Sequence, residues 1–139
     1  MKLAAVERFL AEQFPQAFHP DSGLAIETLK HGFCRVRQTH QDAFLRPGGT
    51  ISGPTMMALA DVAMYVAVLA SVGPVPLAVT TSFNINFLRK PKAGDLIAEC
   101  RLLKLGRRLA VGEIQIRSGD HAAIVAHATS TYSIPPPVI

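Results

Sequence analysis

Of the 139 residues, 49% are hydrophobic and only 17% charged, a balance that excludes an intrinsically disordered chain and suits one domain with a substantial core, part of whose apolar surface is expected between subunits. The net charge of +4 is localised, because residues 89–108 hold Arg89, Lys90, Lys92, Arg101, Lys104, Arg107 and Arg108 against Asp95 and Glu99. Such a patch suits a phosphate-bearing partner or a solvated rim of loops, and the lack of interleaved aromatic residues speaks against nucleic acid.

At the N-terminus Leu3, Val6, Leu10 and Phe14 follow helical spacing, with Phe9 beside them, and Pro15 closes a short amphipathic helix. Its charged residues face water, and with Glu7 and Glu12 the segment has no uninterrupted apolar stretch, so a signal peptide is not expected. Cys34 and Cys100 have no CxxC spacing and are expected as free thiols in a reducing compartment, the cytoplasm. Residues 24–29 and 33–39 read as two strands of a hairpin turning at His31-Gly32. Residues 41–50, with Pro47-Gly48-Gly49, form a loop feeding the next element.

Residues 50–73 predict one long helix with almost no polar face, and a helix apolar all round must be buried. Ser52 and Gly53 are suitable N-cap residues, Pro54 suits the first helical position, and Gly73-Pro74 ends the run. Beyond it the period changes to two. Leu77, Val79, Thr81, Phe83, Ile85 and Phe87 fall on one face, with Ala78, Thr80, Ser82, Asn84 and Asn86 on the other. Residues 95–105, 108–117 and 121–133 read as three more strands joined by short turns at Gly106-Arg107 and Ser118-Gly119-Asp120, and Pro135-Pro136-Pro137 cannot continue a ladder. The expected fold is α+β, a single domain over residues 1–139. A curved antiparallel sheet of about six strands wraps one long buried helix, with a short helix before it.

Asp61 is the only charge in the central helix, among Met57, Ala58, Met64 and Tyr65 at the spacings that share its face. Three readings compete. The run is long enough to span a membrane, but a mid-helix acid, Pro/Gly-bounded ends and no basic flank argue against that, and no membrane partner is expected. Asp61 could be a structural acid that caps backbone or pairs with an arginine. Or it faces a pocket as a catalytic acid or base.

Other chemistries fit poorly. Ser52 lacks the glycines two before and two after that a nucleophile elbow requires, and Gly48-Gly49 lacks the ending of a phosphate-binding loop. His19, His31, His40, His121 and His127 show no metal-ligand spacing, and no metal is expected. What remains is a pair on one helix. The N–H groups around Gly53 can polarise a carbonyl, and Asp61 can activate water or attack directly, which is what hydrolysis of an activated acyl group such as a thioester needs.

The runs GTISGPTMMALADVAMYVA and TTSFNINFLRKPKAGDLIAECRLLKLGRR resemble the hotdog-fold thioesterases of the phenylacetate-pathway type, which hydrolyse acyl-CoA esters. The resemblance covers residues 44–132 and implies the hotdog fold. It also implies that the Gly53 N–H polarises the thioester carbonyl, that Asp61 is general base or nucleophile, and that Tyr65 stands where some members carry a hydroxyl that assists the water. Ser52 replaces the pattern's His, Pro54 its second Gly, and Arg46 stands near its Asn or Gln. Ser52, Arg46, Arg89, Lys90 and Lys92 are the substrate-binding residues it implies, the last three at the coenzyme A phosphates. Coenzyme A belongs to the substrate, so no cofactor is expected. Eight residues of helix separate Gly53 from Asp61 by about 12 Å along the axis and about 80° around it. One carbonyl can hardly touch both in one chain, which agrees with the family's sites at a dimer interface and implies a homodimer or a dimer of dimers. The alternatives are a non-catalytic acyl-CoA binding or sensing hotdog protein, for which the N-terminal segment is too small to supply a DNA-binding unit, and a hotdog hydratase or dehydratase, for which no His lies near the helix.

Overall fold

The computed structural model describes residues 1–119 and 123–136. Its central element is helix α2, Gly53–Val72. Ser52 caps it, its Oγ accepting the Thr55 N–H at 3.4 Å, and Pro54 therefore occupies the second helical position rather than the first. At the other end Gly73 adopts φ 94° and donates its N–H to Leu69 O at 3.0 Å, a backbone conformation that favours glycine. By length and composition α2 could cross a membrane, yet most of it is buried against the rest of the chain.

Around α2 curls a six-stranded antiparallel sheet. Its strands are β1 (Leu24–Lys30), β2 (Phe33–Gln38), β5 (Val79–Phe87), β6 (Leu96–Leu105), β7 (Leu109–Ser118) and β8 (Ile124–Ser133), in the order β1-β2-β6-β7-β8-β5. This is the hotdog arrangement. The face toward the helix carries Val36, Leu96, Ala98, Cys100, Ile114, Ile116, Ala126 and Ala128, all buried with Leu59, Val66 and Leu69 of α2. Each large side chain so buried contributes about 1.5–3 kcal/mol. Small residues let the helix sit close. A Cβ on Gly112 would lie 2.6 Å from Met64 Sδ, so only glycine fits without displacing the helix side chain. Helix α1, Leu3–Gln13, buries Val6 and Leu10 against α2 and β1. The sheet's outer face carries ion pairs of Glu27 with Arg35 and Arg37, Arg37 with Asp95, and Arg117 with Glu99.

The structure differs from the sequence reading in four ways that bear on function. The 41–50 loop contains a 3-10 turn, Asp42–Phe44, and a two-stranded ribbon of β3 (Leu45–Arg46) and β4 (Thr50–Ile51), elements too short to show a period. β5 begins at Val79 and carries a bulge between Thr80 and Ser82, which breaks the expected alternation. Thr80, placed on the polar face by simple parity, turns inward toward the helix, whereas Val79 is 56% exposed. α2 is not covered all round within one chain, since Met57 is 41% exposed and Pro54 and Ala58 are also exposed. Finally, β8 begins at Ile124, and the expected strand start at His121, the turn residue Asp120 and the tail residue Pro137 lie outside the described residues.

Candidate active site

Asp61 lies two turns into α2, on the edge of the face that the chain leaves open, and is half-buried. It lines a cleft of about 450 Å³ with Gln13, Phe14, Tyr65, Pro76, Ala78, Val79, Thr80 and Tyr132. Two hydroxyls meet one of its carboxylate oxygens: Thr80 Oγ1 donates to Oδ1 at 2.6 Å, and Tyr132 OH donates to the same atom at 3.1 Å. Asp61 is therefore neither paired with an arginine nor capping backbone. It is a carboxylate held by neutral donors at the wall of a cleft.

Burial pushes the Tyr132 phenol well above its ordinary value of 10.0, and the neighbouring Asp61 carboxylate adds to the shift. The phenol thus keeps its proton, and its donor role, at any pH an enzyme meets. Above pH 10 the folded chain holds a proton that the unfolded chain has lost, so stability falls as pH rises, by up to about 1.4 kcal/mol per pH unit for one such group. Denaturant unfolding at about pH 9 and about pH 11 should show this drop in the wild type and a smaller one in Tyr132→Phe; equal drops would mean that the phenol does not titrate with folding.

Tyr65 lines the same cleft as Asp61. Its hydroxyl donates to Pro76 O at 3.2 Å, away from the carboxylate, and its ring stacks on Tyr132 at 6.1 Å and meets Phe14 edge-on at 6.1 Å. The tyrosine that reaches Asp61 is Tyr132, which sequence reasoning missed, as it missed Thr80.

Gly53 lies in the first turn of α2 and is not part of the Asp61 cleft. A Cβ there would lie 3.3 Å from Phe87 Cζ. Its N–H is the one first-turn donor left over. Thr55 N donates to Ser52 Oγ and Met56 N to Ser52 O, Pro54 has no N–H, and the Gly53 N–H finds no acceptor among the described residues. The Ser52 hydroxyl is engaged in the cap, 2.8 Å from Thr55 Oγ1.

The basic residues do not form one patch. β6 spans ten residues, about 30 Å at the usual strand rise, and separates Arg89, Lys90 and Lys92 at its start from Lys104, Arg107 and Arg108 at its end. Arg101 lies between them over the Phe33 ring, 5.1 Å from its centroid. Arg46 joins the first group, because Arg46 pairs with Thr50 across β3 and β4 and Thr50 bridges to Lys92. Directly opposed residues project to the same side, so Arg46 and Lys92 stand about two strand spacings, or about 10 Å, apart. Arg89 Nη1 donates to Ile124 O at 2.6 Å, and the exposed Lys90 follows it. Among the described residues no three His, Cys, Asp or Glu side chains gather as metal ligands.

A buried apolar helix wrapped by a six-stranded antiparallel sheet defines a small α+β protein of hotdog architecture. The description of the thioesterase superfamily matches residues 48–125, from the β3–β4 ribbon through the start of β8. A solved structure of a candidate thioesterase from Silicibacter sp. TM1040 has a TM-score of 0.87 at 47% identity, covering 98% of this chain and 93% of that one. A mutant of the phenylacetic acid degradation protein PaaI from Thermus thermophilus has a TM-score of 0.72 at 29% identity, over 81% of this chain and 94% of that one. A candidate esterase of Saccharolobus solfataricus is 30% identical over 112 residues, 81% of this chain and 73% of that protein. The chain belongs to the thioesterase superfamily and is a hydrolase acting on thioester bonds. The resemblance to the phenylacetate-pathway type, read from residues 44–132, is borne out.

Proposed function

We propose that the chain hydrolyses acyl-CoA thioesters at sites shared between two copies of itself. In each site Asp61 of one copy is general base or nucleophile, and the Gly53 N–H of the other polarises the thioester carbonyl. The observation that carries this reading is the Asp61 carboxylate: its Oδ1 is occupied by Thr80 and Tyr132, and its second oxygen, at the cleft, has no hydrogen-bond partner among the described residues. As base that oxygen takes a proton from water, whose hydroxide adds to the carbonyl, and the proton passes to the departing coenzyme A thiolate; as nucleophile it adds to the carbonyl itself, the thiolate leaves, and water then cleaves the resulting anhydride to the free acid, the Gly53 N–H receiving the developing oxyanion in either case.

The shared site is supported by the surface around β5. β5 is an edge strand, and Phe87 on it is 48% exposed and lies against Gly53 at the start of α2, the helix that leaves Met57 exposed. Edge strands with apolar surroundings are covered in stable proteins. A copy of β5 laid antiparallel along this edge brings its Phe87 end, where Gly53 sits, to the Val79 end of the first chain, beside Thr80 and Asp61. The homodimer, or a dimer of dimers built from it, thus brings together what about 12 Å of helix separates in one chain.

Arg46, Lys92, Arg89 and Lys90 line the Gly53 end and are assigned to the coenzyme A phosphates. Coenzyme A enters as part of the substrate, so the reaction requires no separate cofactor. A cytoplasmic setting suits Cys34 and Cys100, which are free and buried.

A panel of acyl-CoA esters assayed for released thiol tests the activity. Turnover of at least one is expected, and tight binding without thiol release would favour a sensing role. Neutralising Arg46 and Lys92 together should raise KM for the acyl-CoA about tenfold or more while leaving a pantetheine thioester, which lacks the nucleotide phosphates, within about twofold. Equal losses on both substrates would mean that these residues do not meet phosphate.

A further inference from the structure

We propose that Tyr132 is a positioning residue that holds the Asp61 carboxylate in the orientation that turns one of its oxygens toward the substrate. The proposal deepens the reading of Asp61 given above and rests on it. Thr80 and Tyr132 are direct cross-strand partners on β5 and β8, and Tyr132 is also paired with Ala110 on β7. Partners in register project to one side of the sheet, so the two hydroxyls converge on one point, and Asp61 Oδ1 occupies it. The Tyr132 hydroxyl also lies 3.3 Å from the Asp61 main-chain oxygen, donating toward backbone and side chain of the same residue.

The two donors are not equivalent. Thr80 stands on the edge strand β5, paired on one side, whereas Tyr132 is 4% exposed, stacked on Tyr65, and has a backbone paired on both sides. It is the rigid member of the pair. With Tyr132 in place, turning the carboxylate about its Cβ–Cγ bond would abandon a hydrogen bond to a charged oxygen, so the second oxygen stays directed at the cleft. Without that hydroxyl, Thr80 alone can follow the carboxylate through other orientations, and the fraction poised for reaction falls.

The test is Tyr132→Phe, which removes one oxygen and keeps the ring. With a substrate from the acyl-CoA panel, kcat should fall about tenfold or more while KM stays within about twofold and the melting temperature within a few degrees. A kcat within about twofold of wild type, or a loss confined to KM, overturns the proposal. A crystal structure of the variant gives a readout independent of activity: Asp61 should occupy more than one side-chain orientation, and a single unchanged orientation overturns the proposal whatever the rate. Asp61→Asn assayed alongside separates the two levels. If Asp61→Asn remains active, the catalytic reading of Asp61 fails. If it is inactive while Tyr132→Phe is fully active, the role of Tyr132 alone fails.

Discussion

Asp61→Asn is expected to lower kcat for acyl-CoA hydrolysis by about 10²–10⁴-fold, the range contributed by a positioned acid or base. The substitution is nearly isosteric, and the structure indicates why it should be silent in the fold. The amide oxygen of the substituted side chain can replace Oδ1 and accept from both Thr80 and Tyr132, so no buried donor is left without a partner. The change falls on the other atom. An amide nitrogen stands where the free oxygen was, and it can neither take a proton from water nor attack a carbonyl. Acyl-CoA binding should persist, measured by calorimetry with the inactive variant. Turnover near wild type would return Asp61 to a structural acid.

Gly53→Pro is expected to cost about 10²–10³-fold in kcat, the effect of removing one oxyanion donor. Elsewhere in the first turn the N–H groups of Thr55 and Met56 are already engaged by Ser52, and Pro54 has none, so no neighbouring donor can substitute. Residue 53 precedes Pro54 in a helical conformation, which is disfavoured for any residue with a Cβ, so folding of the variant is established before its rate is read, although the entry to the helix suits proline. Ser52, at φ −71° and ψ 152°, already has the extended conformation that a residue before proline adopts, and the first helical position suits proline. The added ring approaches Phe87, which is half-exposed and able to give way. Circular dichroism and light scattering should show a folded dimer; a folded, fully active variant would remove Gly53 from the mechanism.

The scaffold was legible in the sequence because its signals are local. The apolar run with Ser52 ahead and Gly73 behind located α2, a period-two stretch located β5, and turn signals at His31-Gly32, Gly106-Arg107 and Ser118-Gly119 bounded the other long strands. The expectation that Gly53 and Asp61 act from different copies came from helix geometry joined to the family resemblance. The surroundings of the carboxylate were not legible, for two reasons. Thr80 reaches Asp61 only because a bulge at Thr80/Ser82 interrupts the alternation, and nothing in a run of threonines and serines marks where a bulge falls. Tyr132 is 71 residues from Asp61 and meets it through strand register, which side-chain pattern alone does not specify. Tyr65, one turn past the acid, lines the cleft with its hydroxyl on Pro76 O. The basic stretch misled: residues close in sequence were carried apart by the length of β6, while Arg46, far from them in sequence, was brought to Lys92 by a four-residue ribbon.

The shared site is tested most directly by mixing the two inactive variants. An Asp61→Asn chain still supplies a Gly53 N–H, and a Gly53→Pro chain still supplies Asp61. In a mixed dimer one of the two sites joins the intact Asp61 of one copy to the intact Gly53 of the other, and the second site has neither. Random assembly places about half the chains in mixed dimers, each with one working site of two, so co-expressed variants should recover about a quarter of wild-type activity from two nearly inactive parents. Mixed dimers isolated with two different affinity tags that form in good yield and recover no activity would contradict the account, because they would show that Asp61 and Gly53 of different copies do not act on one thioester.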